Sequence, residues 1–202
     1  MTKHGTKSAS YARAISDDFT ILNGGDIADI AHFLCVLHGR HPSIVDHTAT
    51  RSTDTLTRDW LTRAIDGFTA ERALLTKLTV SAGPIMGLPI EDQSNKAVLA
   101  QRKALEMLAQ SDRNGCALGA SFALILDWHA IRPLLNNIAI RIGVEPFSLT
   151  LPSSETTNNL HSELTQSGSL GRAINFGVDQ ILTQHRGLWQ LLEARRNARR
   201  VD

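Results

Sequence analysis

The chain is poor in cysteine and tyrosine, has no apolar run long enough to cross a bilayer, and carries no excess of charge of either sign. It holds two cysteines, Cys35 and Cys116. Both lie in apolar helical stretches without a partner at metal-ligand spacing, which favours reduced core thiols over a disulfide framework or a thiolate zinc site. The stretch Gly115 to Leu126 is free of charge, but Asp127, His129 and Arg132 follow at once, and it falls short of the roughly 20 apolar residues that a membrane crossing takes. A formal net charge of +1 argues against nucleic acid or an anionic membrane as the dominant partner. Met1 to Ser10 has no apolar core of a signal peptide, so a cytoplasmic location is expected. Also missing are a phosphate-binding glycine loop, a dinucleotide fingerprint, a nucleophile elbow and a His-Glu-x-x-His motif, which lowers the odds for the commoner enzyme classes.

What is present is apolar periodicity. With 202 residues, 42% of them hydrophobic, the chain can bury a substantial core, and one domain over 1–202 is the default. The charge-free run reads as a central helix, Asn114 to Ile131, apolar on nearly all sides. Leu118, Phe122, Ile125 and His129 share its large face, whereas Cys116, Ala120, Ala123 and Asp127 form a small face that would let a second helix come close. Pro133 predicts a kink or break near His129, with a further helix from Leu134 to Ile142. The expected fold class is therefore all-α, a single-domain bundle of about seven or eight helices around this element.

Other elements follow from the same reasoning. Residues 1–9 read as loose. Tyr11, Ile15, Phe19 and Leu22 mark a short first helix, and Asn23-Gly24-Gly25 a turn before a helix that Asp26 caps and Gly39 ends. His38, Arg40, His41 and His47 form a conspicuous cluster. His38 is explained by the favourable dipole of a last helical turn and His41 by its place before Pro42, so a metal site there is not favoured. Asp29-x-x-His32 has the spacing of di-iron bundles, but His32 projects away from the apolar stripe, toward solvent. A long helix runs from Thr53 to about Ser81 and another from about Glu91 to Ser111, the latter burying Ala97, Gln101, Ala104, Leu105 and Leu108. Residues 144–168 read as an irregular connector or lid with a short helix capped by Ser153 or Ser154. The last stripe is Leu170, Ile174, Val178, Ile181, His185, Leu188 and Leu192, and Arg195, Arg196, Arg199 and Arg200 crowd the end of that helix.

Four helices thus place one polar residue each within an apolar stripe: Glu71, Gln101, His129 and His185. If the stripes meet, Glu71, His129 and His185 offer a carboxylate and two imidazoles that suit Fe, Mn or Zn, with Gln101 beside them. The same four side chains could line a small-molecule pocket or run as an acid–base pair. The plainest reading is a satisfied buried network that fixes helix register. An apolar strip beside Trp189, or around Ile15 and Phe19, would serve as a homodimer face.

Gln184-His185-Arg186-Gly187-Leu188-Trp189, and Leu105-Glu106-Met107-Leu108 with Ser111-Asp112-Arg113, resemble an uncharacterised family of small bacterial all-helical proteins. That resemblance implies no activity, cofactor or catalytic residue. The architecture is similar to ferritin-like or haem-oxygenase-like bundles, but the two Glu-x-x-His pairs of the ferritin-like pattern are lacking, and a haem would need His129 or His185 as axial ligand. The sequence favours a soluble, non-catalytic binding or interaction protein, expected to be oligomeric. The other reading is a metal- or small-ligand-binding bundle, with or without enzyme activity, that uses Glu71, His129 and His185.

Overall fold

A computed structural model describes residues 5–85, 91–166 and 168–200. All regular structure in the described residues is helical. Eight α-helices run in order: α1 (Ser10–Asp17), α2 (Gly24–His38), α3 (Ile44–Arg51), α4 (Thr55–Ala82), α5 (Glu91–Ala109), α6 (Cys116–Arg141), α7 (Ser154–Leu164) and α8 (Gly168–Arg199). Two single turns of 3₁₀-helix, Thr6–Ser8 and Phe19–Ile21, flank α1. The expected connector Ile85 to Pro89 lies mostly outside the described residues.

Local chemistry sets most of the ends. Asn23 caps α2 by accepting from the Asp26 amide at 2.9 Å, and Asp26 accepts from the Asn23 amide at 3.0 Å, so each satisfies a donor that the helix start would leave unpaired. Asp26 is therefore the third residue of the helix, and Asn23 is its cap. Ser153 caps α7 in the same way, taking the Thr156 amide at 3.1 Å. Gly83 closes α4 at φ 75°, a conformation that favours glycine.

The central helix departs from its expected limits, starting at Cys116 and running unbroken through Pro133 to Arg141. A proline inside a helix costs about 3 kcal/mol. Here Trp128, Ile131, Leu134 and Leu135, on both sides of it, are all within the core, and their burial outweighs the lost bond. Along the small face of α6, α8 packs closely. A Cβ on Gly119 would stand 1.9 Å from the Ile174 carbonyl oxygen, and one on Gly177 2.0 Å from that of Cys116. The two backbones are in contact because neither glycine holds them apart.

Several expectations are corrected. Residues 5–9 are anchored, with Thr6 buried between α6 and α8. Trp189 and Ile15, foreseen on apolar strips for a dimer face, are core residues, each 1% exposed, whereas Phe19 is half-buried. The buried side of α5 is carried by Ser94, Val98, Leu105 and Leu108, while Ala97 is exposed and Gln101 half-buried. His32 is half-buried and hydrogen-bonds through Nε2 to the Gly83 carbonyl at 2.8 Å, which ties α2 to the end of α4.

Candidate functional site

Three helices bring a continuous polar chain into the core. Asp127 of α6 accepts from the Thr6 amide at 2.9 Å and from the Thr6 hydroxyl at 2.6 Å. Its Oδ2 lies 2.6 Å from Nδ1 of His185 on α8, and Nε2 of His185 lies 3.0 Å from Nε2 of His38 at the end of α2. The direction of most of these bonds is fixed. Trp189 Nε1 can only donate, and it donates to the Thr6 hydroxyl oxygen at 2.9 Å, while that hydroxyl donates its own hydrogen bond to Asp127. Burial pushes the Asp127 carboxyl up, but the bonds from His185 and Thr6 outweigh it and hold the group below its ordinary value. An ionised Asp127 accepts only, so His185 donates from Nδ1.

The sense of the His38–His185 bond follows the proton count of the pair: a neutral His185 accepts from His38 at Nε2, and a charged one donates to it. The His38 ring is walled by Phe68, Trp128 and His185, in a T-shaped contact with Trp128 at a centroid distance of 5.4 Å and an angle of 82°. It is 4% exposed, and no hydrogen bond among the described residues engages its Nδ1. His38 also lines a narrow cleft of about 50 Å³ between α2, α3 and α5, walled by Ile44, Leu105, Leu124 and Ile181, with Arg40, His47, Arg102 and Glu106 around it.

Burial lowers the His38 pKa well below its ordinary value, and charge on His185 lowers it further. The unfolded chain therefore takes up a proton at His38 near pH ~6.5, where the folded chain does not, so stability is lost as pH falls below that value. The slope from this group reaches about 1.4 kcal/mol per pH unit. Asp127 adds a loss only below its unfolded value of 3.8. Glu71 acts in the opposite sense: burial raises it above 4.5, and the Trp128 and Arg132 donors pull it back only partly. Comparison with His38→Gln isolates the His38 contribution. In urea titrations the stability advantage of the natural chain over this variant should shrink by about 1–2 kcal/mol between pH 7 and pH 5. A constant difference would contradict a neutral, buried His38.

The four sequence-predicted site residues do not meet at one point. Glu71 is fully buried, accepting from Trp128 Nε1 at 2.8 Å and from Arg132 Nη1 at 2.5 Å. Arg132 in turn donates to the Phe147 carbonyl at 2.5 Å and to Asn136 Oδ1 at 2.9 Å, with its guanidinium 4.7 Å above the Phe147 ring. His129 is half-buried and bonds through Nε2 to the Pro152 carbonyl at 2.9 Å, and Gln101 donates to the Gln184 carbonyl at 3.1 Å. Only His185 belongs to the buried chain, and Glu71 touches it at one remove by fixing the Trp128 indole against His38. Among the described residues no group of three His, Cys, Asp or Glu side chains is placed to hold a metal ion.

The site residues not foreseen are His38, Asp127 and Thr6. Two of the C-terminal arginines are tied into the fold: Arg195, 0% exposed, grips Asp29 with two bonds of 2.6 and 3.0 Å, and Arg199 reaches both Asp26, at 2.7 Å, and Asp29.

A larger, open depression of about 510 Å³ lies between the ends of α3, α4, α6, α7 and α8, lined by Thr48, Arg51, Arg113 and Leu118 among others. Thr48 is bonded to Ser121 and the Ile44 carbonyl, and Arg51 to the Ser111 carbonyl. Unlike the His38 cleft, this depression has on its lining no nearly buried imidazole with an unmet nitrogen.

A profile for a family of unknown function, DUF6975, matches residues 1–200. The chain belongs to that family. No curated protein and no solved structure matches, so the likeness to ferritin-like or haem-oxygenase-like bundles gains no support. What this DUF6975 chain offers as evidence of role is its own geometry.

Proposed function

We propose that the protein is a binding protein that holds a small molecule in the cleft between α2, α3 and α5, with His38 as the contact at its floor. The observation that carries this reading is the nearly buried His38 imidazole on the lining of an apolar-walled cleft, with its Nε2 engaged by His185. A cleft with apolar walls and a few convergent polar groups is the usual form of a small-molecule site, and here His38 offers a polar contact at its inner side. His185, Asp127 and Thr6 position that ring, and Glu71 does so through Trp128. Glu71 and His185 thus enter as positioning residues, and Gln101 and His129 tie helices and loops together.

The test is methyl NMR of the protein with a set of small polar fragments. The expected result is perturbation concentrated at Ile44, Leu105, Leu124 and Ile181. Perturbation confined to Leu118, Leu164 and Leu170, which line the open depression, would move the binding site there and overturn this reading.

A further inference from the structure

We propose that the open depression at the ends of α3, α4, α6, α7 and α8 is a second binding site, and that it takes a zwitterion with an apolar side chain, either a free α-amino acid or a short peptide with both ends free. This site is separate from the His38 cleft and stands or falls without it. Its volume of about 510 Å³ falls within the roughly 300–1,000 Å³ of small-molecule sites.

The charge on the lining selects the ligand. Arg51 ends α3, Asp54 caps α4, and Asp112 and Arg113 lie in the turn before α6, so the depression carries two charges of each sign. Among the described residues no ion pair engages any of the four. Opposite charges that stay apart around a hollow complement a ligand that carries both signs. An anion alone would meet Asp54 and Asp112, and a cation alone would meet Arg51 and Arg113.

Two of the four are held in place. Arg51 Nη1 donates to the Ser111 carbonyl at 2.9 Å, which leaves the other donors of its guanidinium for a carboxylate. Asp54 Oδ2 accepts from the Thr57 amide at 2.8 Å, and the bonds from the Thr57 amide and hydroxyl keep its carboxyl below the ordinary value, ionised and ready to accept from an ammonium. Arg113 and Asp112 are exposed, and the Arg113 guanidinium lies 5.5 Å from the centroid of the Phe176 ring.

The apolar lining comes from three helices. Ala117 and Leu118 open α6, Leu164 ends α7 and Leu170 belongs to the first turn of α8. The three leucines are half-buried, and an aliphatic side chain on the ligand covers apolar surface that they still show to water.

The experiment titrates the intact protein with leucine and with leucyl-leucine, reading the methyl signals of Leu118, Leu164 and Leu170. The analogues are N-acetyl-leucine, which lacks the ammonium, leucinamide, which lacks the carboxylate, and glycine, which lacks the side chain. The better of the two zwitterions should bind about tenfold more tightly than N-acetyl-leucine or leucinamide, each of which gives up two exposed charge contacts worth roughly threefold apiece. It should also bind more tightly than glycine. Leucyl-leucine as the better ligand assigns the site to peptides, and leucine as the better one assigns it to free amino acids. Asp112→Asn and Arg113→Ala should each weaken the better zwitterion by about threefold. Asp112→Asn should not weaken N-acetyl-leucine, and Arg113→Ala should not weaken leucinamide. Either charged analogue binding as tightly as the zwitterions would overturn the charge argument, and glycine binding as tightly would overturn the apolar one. Methyls that stay unmoved in all of these titrations would remove the site. The His38 cleft is read from other methyls, those of Ile44, Leu105, Leu124 and Ile181, so its own test is decided separately.

Discussion

Glu71→Leu should destabilise the protein by about 3–5 kcal/mol, the loss seen when one partner of a buried ion pair is removed. The partner left behind is Arg132, 2% exposed, whose guanidinium keeps its bonds to Phe147 and Asn136 but loses the carboxylate that balances its charge. Trp128 Nε1 also loses its acceptor. Neither donor has water to turn to. A carboxylate whose pKa is raised by burial is a group that the fold holds at a cost, so removing both charges is a different matter from removing one. The double variant Glu71→Leu, Arg132→Met should recover much of the loss, because well-packed apolar side chains often replace a buried pair without penalty. Urea midpoints of the two single variants and the double variant measure the coupling directly. A neutral Glu71→Leu would mean that the carboxylate is not part of a network at all.

Gly177→Ala should cost about 3 kcal/mol or more, the upper range for overpacking, since the new methyl meets backbone that has no rotamer to change. Its Cβ would stand 2.0 Å from the Cys116 carbonyl oxygen and 2.8 Å from the Ala120 amide nitrogen. Relief requires α8 to move off α6, and that shift would open the 2.6 Å bond between His185 and Asp127. Gly24→Ala is the matching control: nothing lies within 4 Å of the added methyl, so its effect should stay within a few tenths of a kcal/mol. Thermal unfolding of the two variants compares them. Equal midpoints would contradict the close α6–α8 crossing.

The fold was legible where one apolar stripe meets one core. The stripe from Leu170 to Leu192 on α8 reads correctly because a long amphipathic helix repeats its signal over many turns. The limits of α6 were less legible, since Pro133 acts locally and the packing that overrides it is made with helices distant in sequence.

The site was half legible. His185 stands at the centre of its stripe, and Asp127 stands on the small face of α6 that admits the close helix. Those two facts together point to the pair, because the face that admits α8 is the face that meets the α8 stripe. The same α8 periodicity, carried on from Leu188 and Leu192, reaches Arg195 and Arg199, which the structure pairs with Asp26 and Asp29. His38 was not legible, as a histidine in a last helical turn satisfies the helix dipole whether or not it is buried. Thr6 carries no pattern either, since a single residue in a short segment has no period, and only the fold sets it against Asp127.

Asp127, His185 and His38 form a buried hydrogen-bond chain that ends in a neutral imidazole at the cleft. The most direct measurement is the ¹⁵N spectrum of the histidine rings at neutral pH, with long-range proton correlations assigned through His38→Gln. A proton on Nδ1 of His185 and a neutral His38 ring with a single protonated nitrogen are expected. A His185 without a proton on Nδ1, or a His38 protonated at both nitrogens, would contradict the chain.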